Sequence, residues 1–508
     1  MKFPRASGIL LHPTSLPGCS GVGDFGPAAY SFVDFLHESG QKLWQVLPLN
    51  PTGYTDSPFQ CLSGSAGNPF LISPEKLAEQ GVLAKSDLKN APKFPQDSID
   101  FNGVIHYKLP LLKQASQNFF SSATPADRRR FEGFCQANAG WLDDSALFLA
   151  CKVAHHGVAW SNWEPGIAQR RPEALTEWTS RLAANIEAIK YWQFEFFQQW
   201  QDLRSYCGER GIRIIGDIPI YVAHDSVDVW RNPKLFCLDE KGHPAKVAGV
   251  PPDYFSATGQ LWGNPIYNWA LMKKTNYRWW VERFRSALRL YDVMRIDHFR
   301  GFEASWQISA SEPTAVKGQW GKGPGAELFA ALQETLGELP VIAENLGVIT
   351  PEVEAIRQQF GFPGMAILQF AFGIDAQAPT FRPHNYVREL VAYTGTHDND
   401  TAVGWWSSNG TDDSTRTPED VRKEHDLAQA YLNFTDNEPI NWVLIRGVLS
   451  SVADTAMIPL QDVLGCGREA RMNLPGTSSG NWRWRFKPGA LTPELSSRLR
   501  ELTLMYDR

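Results

Sequence analysis

Eight short apolar runs recur along the chain, and they limit its fold more than any other feature. They fall at residues 8–12, 43–47, 212–218, 292–297, 340–344, 365–370, 390–395 and 457–460. Most are followed by a loop and then by helical patterning, with helices expected over 28–39, 143–155, 182–209, 279–290, 326–336 and 351–360. Alternating strand and helix units specify a parallel sheet covered by helices, and eight of them close into a (β/α)8 barrel. Pro459 interrupts the eighth run. An open doubly wound sheet is the competing arrangement, but no G-x-G-x-x-G turn follows the first run to support nucleotide binding. The expected fold class is therefore α/β, a parallel TIM barrel with insertions.

The spacing of the runs locates those insertions. One barrel domain is expected over 1–508. A large, mostly helical subdomain over 50–185 is inserted between strands 2 and 3, with helical patterning from about 74 to 210. A loop subdomain over 223–275 follows strand 3, and further loop insertions lie at the carboxyl-terminal face. The segment from Asn50 to Leu71 is aperiodic and rich in Gly, Pro and Ser, a composition found more often in functional loops than in packing. The formal net charge of -6 gives no electrostatic reason to expect nucleic acid or an anionic membrane. Seven cysteines lie scattered without C-x-x-C or Cys/His clustering, which argues for reduced thiols and against a zinc site. The first residues lack the apolar core of a signal peptide, and no run approaches a membrane span. A cytoplasmic location is expected, with no membrane partner. Nineteen tryptophans are many; their flat faces suit sugar rings, although most belong in a core.

Barrel active sites gather at the carboxyl ends of the strands. There the third run ends in Asp217, the fourth in Asp297 and the fifth in Glu344, and the loop after the seventh carries His397 and Asp398, with Arg295 and His298 nearby. Four acids at one rim repel one another unless function keeps them there. Magnesium or manganese would suit such oxygen ligands. Against a metal stand the interleaved cation Arg295 and the lack of a phosphate-binding motif, so no metal and no cofactor is expected. The other chemistry is glycosidic bond cleavage by a pair of carboxylates. Arg295 and Asp297, two places apart on a strand, share a face, and a guanidinium favours the charged form of a neighbouring acid. Asp297 is then the candidate nucleophile; alternatively it caps the next helix and Arg295 merely neutralises it. Glu344 has no cation in its own run, so the surrounding negative charge raises its pKa and suits it to general acid/base work. Asp398 is left to stabilise positive charge on the sugar ring. The loop 249–267, with Tyr254, Phe255, Trp262 and Tyr267, is placed to cover the mouth and exclude water, or else packs its rings on the barrel. On the residues alone an α-glucan hydrolase, a non-catalytic glucan-binding protein and a metal-dependent barrel enzyme remain alternatives.

Three signatures, Arg295-Ile-Asp-His-Phe-Arg-Gly301, Ala343-Glu-Asn-Leu-Gly347 and Gly395-Thr-His-Asp-Asn-Asp-Thr401, resemble those of the 4-α-glucanotransferases of the amylomaltase, or disproportionating enzyme, family. Ser15-Leu-Pro-Gly18, Ser57-Pro-Phe-Gln60, Ala66-Gly-Asn-Pro69, Gly216-Asp-Ile-Pro-Ile-Tyr-Val222, Gly249-Val-Pro-Pro-Asp-Tyr-Phe-Ser256, Gln260-Leu-Trp-Gly-Asn-Pro265 and Ala470-Arg-Met-Asn473 match it in order. The resemblance implies an α-amylase-like barrel that moves α-1,4-glucan segments to the 4-hydroxyl of an acceptor through a covalent glucosyl-enzyme, with retention. Asp297 would be the nucleophile, Glu344 the acid/base and Asp398 the stabiliser. It implies that Asp217, Arg295 and His397 hold the sugar at the cleavage point, and that Ser57, Gln260, Trp262 and Asn473 line neighbouring subsites. Tyr54, Phe59 and Tyr254 join them as substrate-binding residues. The implied partners are malto-oligosaccharides, starch- or glycogen-derived glucans and glucose as acceptor, with a monomer or homodimer as the assembly. The chain departs from the family pattern in one place: Phe59 stands where it usually has tyrosine, keeping the stacking face and losing a hydroxyl, and the nearby Gly64-Ser65 replaces a bulkier pair.

Overall fold

The structure, a computed structural model, describes residues 4–53, 56–252, 256–410, 416–435 and 437–508. Among them twelve strands form: β1 Ala6–Leu10, β2 Leu43–Gln45, β3 Arg213–Ile218, β4 Lys246–Val250, β5 Gln260–Pro265, β6 Val293–Ile296, β7 Ala304–Ser309, β8 Gly318–Lys322, β9 Val341–Ala343, β10 Gly364–Ile367, β11 Leu390–Tyr393 and β12 Thr455–Pro459. Eight of these make one parallel sheet in the order β10-β11-β12-β1-β2-β3-β6-β9. All eight runs singled out in the sequence supply one of its strands. The two ends of the sheet meet through the Ala343 N–H, which donates to the Pro363 carbonyl at 2.9 Å, and the Met365 N–H, which donates to Asn345 Oδ1 at 2.8 Å. The sheet thus curls into a nearly closed (β/α)8 barrel. Pro459 ends β12, where no further ladder bond is needed.

The two-residue period sorts the strand residues into two cores. Leu43, Ile215, Val293, Ile342, Met365, Val391 and Met457 pack together inside the barrel. Their neighbours Trp44, Ile214, Met294, Val341, Ala366, Ala392 and Ile458 face outward onto the helices. Close approach inside is extreme at Gly8, where a Cβ would lie 2.4 Å from that of Leu43. Advancing the inward phase by one step, toward the carboxyl ends, replaces apolar side chains with polar ones. Leu43 gives way to Gln45, Ile215 to Asp217, Val293 to Arg295, Ile342 to Glu344 and Val391 to Tyr393. The pleat that fills the barrel therefore also aims these groups into its mouth.

Between β2 and β3 run the long helices Phe101–Ser122, Pro125–Ala154 and Ala183–Glu209. The second begins well before residue 143, its expected start. Thr124 caps it, accepting the Asp127 N–H at 3.2 Å. Its first turns carry little apolar periodicity, and they are held by Phe131 and Phe134 against Phe194 on the third helix. Tertiary contact overrides the weak local signal there.

The stretch 223–275, expected as loop, contributes β4 and β5. With β7 and β8 from beyond β6 they form a four-stranded antiparallel sheet in the order β5-β4-β7-β8. Both insertions leave from the carboxyl ends of β3 and β6, so this sheet is attached on the side of the barrel that carries the polar groups. Among the described residues no helix is long and apolar enough to cross a membrane.

Candidate active site

Strand register brings the central acids together. Ile296 on β6 pairs with Ala343 on β9, and the next residues on the two strands are Asp297 and Glu344. Asp217 on β3 pairs with Arg295 on the other side of β6. Arg295, 3% exposed, donates through Nη1 to both carboxylate oxygens of Asp217, at 2.9 and 2.7 Å, and lies 3.0 Å from Asp297 Oδ1. The expected Arg295–Asp297 pair is present, but Asp217 takes the larger share of the guanidinium. Burial lowers the Arg295 pKa, yet the carboxylates of Asp217, Asp297 and Glu344 outweigh it and the net shift is upward. The guanidinium is a fixed positive charge. At Asp217 burial raises the carboxyl pKa and Arg295 acts against it.

Glu344 is held differently. Its Oε2 accepts the His298 N–H at 2.6 Å and its Oε1 the Leu346 N–H at 2.7 Å, so the carboxyl group is locked in one orientation. His298 reaches this position through a left-handed backbone, with φ of 50°. Burial pushes the Glu344 pKa from 4.5 up to about 7, with Arg295 opposing and Asp297 adding to the rise. The sequence argument had the direction but ascribed it to crowded negative charge; desolvation is the larger cause, and a cation from the neighbouring strand does reach this acid. Among the described residues no group of three or more His, Cys, Asp or Glu is arranged to hold a metal ion.

On the opposite wall the loop after β11 presents His397 and Asp398. Asn473 Nδ2 donates to Asp398 Oδ1 at 2.6 Å, and His397 Nε2 lies 3.4 Å from the same oxygen. The backbone carbonyls of Asp398 and Asn473 both accept from the Arg471 guanidinium, at 2.7 and 2.9 Å. Asn473 is thus a direct support of Asp398. Burial lowers the His397 pKa, with Asp398 acting against it. Phe59 stacks on the His397 ring at 4.9 Å and 17°, and its backbone N–H donates to Ser57 Oγ at 3.2 Å. Trp482 leans on both rings, at 5.8 Å from Phe59 and 5.9 Å from His397.

From the four-stranded sheet, Trp262 meets the His298 ring edge-on at 4.8 Å and donates its indole N–H to Gln260 Oε1 at 3.1 Å. Beneath these groups the Tyr393 hydroxyl donates to Gln45 Oε1 at 2.9 Å. Asp217, Arg295 and Asp297 form one contact group and His397, Asp398 and Asn473 another, and charge interactions couple the two to each other and to Glu344. Ser57, Phe59, Gln260 and Trp262 are joined to these groups through neighbours. Tyr54 and Tyr254 lie outside the described residues. Sequence reasoning passed over Trp482, Arg471 and Gln45. The first two sit in an irregular segment without periodicity, where Arg471 falls inside the matched run Ala470–Asn473 and Trp482 in a Trp482-Arg-Trp484 repeat.

Residues 11–492 match the model of glycoside hydrolase family 77, described as 4-alpha-glucanotransferase. A 4-alpha-glucanotransferase of Synechocystis sp. is 51% identical over 100% of this chain and 99% of its own length. One of Thermus thermophilus is 50% identical over 100% of both. An amylomaltase from Streptococcus agalactiae in complex with acarbose superposes with a TM-score of 0.94, at 40% identity and covering 99% of each chain.

Proposed function

For this chain, which belongs to glycoside hydrolase family 77 and is a 4-alpha-glucanotransferase, we propose that Asp297 is the nucleophile, Glu344 the general acid/base and Asp398 the transition-state stabiliser. The observation that carries this is the register alignment of Asp297 and Glu344 on adjacent strands, one beside a buried guanidinium and the other with its proton affinity raised. In the first half-reaction an Asp297 oxygen bonds to the anomeric carbon as the glycosidic bond breaks. The Glu344 proton passes to the leaving 4-oxygen, and Glu344 is left as a carboxylate. In the second, an acceptor 4-hydroxyl attacks the same carbon, its proton returns to Glu344, and the Asp297 carboxylate is released. Two inversions leave the anomeric configuration unchanged, and no water is consumed.

Arg295 and Asp217 hold Asp297 in place, since the same Arg295 Nη1 that pairs with Asp297 is anchored by both oxygens of Asp217. His397 and Asp398 face the ring hydroxyls, and Asn473 fixes the Asp398 carboxylate while positive charge grows on the sugar. Ser57, Phe59, Gln260 and Trp262 line the cleft, and Tyr54 and Tyr254, outside the described residues, are assigned to substrate binding as well. The substrates are malto-oligosaccharides and starch- or glycogen-derived α-1,4-glucans, with glucose as acceptor; the protein is cytoplasmic, and a monomer or homodimer.

Incubation with maltotriose alone tests the reading. It should give glucose and longer oligosaccharides without a net gain of reducing ends, and Asp297→Asn should abolish turnover while maltotriose still binds. Turnover surviving in that variant overturns the assignment.

A further inference from the structure

A row of residues crosses the four-stranded sheet without any part in the mechanism above. Register pairs Leu261 with Gly249, Gly249 with Trp306 and Trp306 with Trp320, so the four share one face, the one opposite to Gln260 and Trp262. Its two ends stand in solvent, Leu261 at 40% exposure and Trp320 at 42%. The Trp320 ring is nevertheless held firmly. Trp306 meets it edge-on at 5.2 Å and 65°, and the Arg300 guanidinium lies 3.8 Å from its centroid. Arg300 is itself buried, in the turn that follows Asp297 and His298, and its Nη1 donates to the Val348 carbonyl at 2.5 Å. One arginine therefore braces an exposed tryptophan and ties it to the loop that leaves Glu344. At most about 14 Å of extended chain separates Glu344 from Val348.

A large ring that is both fixed and exposed contributes little to a core. It is well made for stacking, because its entropy is already lost before a ligand arrives. Glu344 gives its proton to the departing oxygen and takes one from the acceptor, so the loop leaving it borders the half of the cleft used by leaving and acceptor chains. We propose that Trp320 is the platform of an outer acceptor-side subsite, on which a glucose ring of an α-1,4-glucan stacks several units beyond the cleavage point. The placement on the acceptor side rests on the acid/base role of Glu344; the platform itself does not.

The test is calorimetric binding of maltoheptaose and maltotriose to Asp297→Asn protein, which does not turn them over, with and without Trp320→Ala. Loss of one stacked ring should weaken maltoheptaose about five- to tenfold and maltotriose by less than about twofold. Trp320→Phe keeps a stacking face and should stay within about threefold of the parent for maltoheptaose. If Trp320→Ala does not fold, as judged by circular dichroism, the Phe variant and protection of tryptophan fluorescence from acrylamide by maltoheptaose carry the test. Equal losses for both lengths, unchanged maltoheptaose affinity, or no protection overturns the platform. Full transferase turnover in Glu344→Gln would instead remove the acid/base reading and the side assignment, while a length-selective loss at Trp320 would stand.

Discussion

Replacing Glu344 by glutamine removes the transferable proton and one of the two backbone hydrogen bonds that hold the group, since an amide nitrogen cannot accept the His298 or Leu346 N–H. Burial moves this carboxyl from 4.5 to about 7. A shift of that size corresponds to roughly 3 kcal/mol in favour of the neutral acid at neutral pH. In the proposed mechanism the cleavage half-reaction needs the proton on Glu344. With a pKa of about 7, half of the free enzyme carries it at pH 7, and about a tenth at pH 8. The kcat/KM for maltotriose as donor should therefore fall about tenfold per pH unit on the alkaline side of 7. Glutamine cannot supply the proton, so Glu344→Gln should lose about 10²- to 10⁴-fold in kcat/KM and lose the alkaline limb with it.

A donor whose leaving group departs unprotonated isolates the cause. With α-maltosyl fluoride, the rate of release of the first equivalent of fluoride should be nearly independent of pH between 6 and 9 in the wild type and should persist in Glu344→Gln, whose second half-reaction then stalls for want of a base. Initial rates of product formation, separated by chromatography and complemented by a fluoride electrode, read both arms. An alkaline limb that survives in Glu344→Gln, or an equal limb with the fluoride donor, would refute the reasoning, because the titrating group would then not be the one that protonates the leaving oxygen.

Two further outcomes follow from neighbouring residues. Burial raises the Asp462 pKa from 3.8 to about 6, against the Ala402 N–H at 2.7 Å and the Thr394 hydroxyl at 2.5 Å. The folded state holds this proton more tightly than the unfolded chain, so the associated stability is complete below about pH 4 and is lost as pH rises through about 6. Asparagine preserves both hydrogen bonds by accepting from Ala402 and donating to Thr394, so Asp462→Asn should stabilise the protein by up to about 3 kcal/mol at pH 7.5 and by little at pH 4. Urea unfolding at the two pH values reads this, and an equal difference at both refutes it. Phe59→Tyr restores the hydroxyl of the family pattern to a ring already fixed on His397; a two- to tenfold rise in donor kcat/KM is expected from about one added hydrogen bond, and no change would show that substrate does not use that hydroxyl.

How much of this molecule can be read from its residues depends on how far apart the interacting groups lie in the chain. The barrel was legible because strands buried on both faces are written as continuous apolar runs, and the break from Ile215 to Asp217, or from Ile342 to Glu344, marks the mouth within the same few residues. The four-stranded sheet was not. Its strand β8 reads Gly-Gln-Trp-Gly-Lys, a poor strand by propensity. The glycines are there because the partner strand needs their space: a Cβ on Gly318 would lie 2.5 Å from the Trp306 ring, and one on Gly321 would lie 1.9 Å from the Gln307 amide. That requirement appears only once β7 is beside β8.

The same division runs through the site. Arg295 and Asp297 advertise their pairing by standing two apart, yet the bidentate partner of Arg295 is Asp217, 78 residues earlier, and the group that fixes Asp398 is Asn473, 75 residues later. Local pattern singled out the acids proposed to react; the groups that hold them in place lie on a paired strand and in an aperiodic segment. For Asp297 as the proposed nucleophile the consequence is specific. Its charge partner is itself anchored on a second strand, so the guanidinium cannot follow the carboxylate as Asp297 bonds to the sugar. The Arg295–Asp297 contact is the one free to lengthen during the reaction, while the Arg295–Asp217 contact keeps the cation in place for the return of the carboxylate.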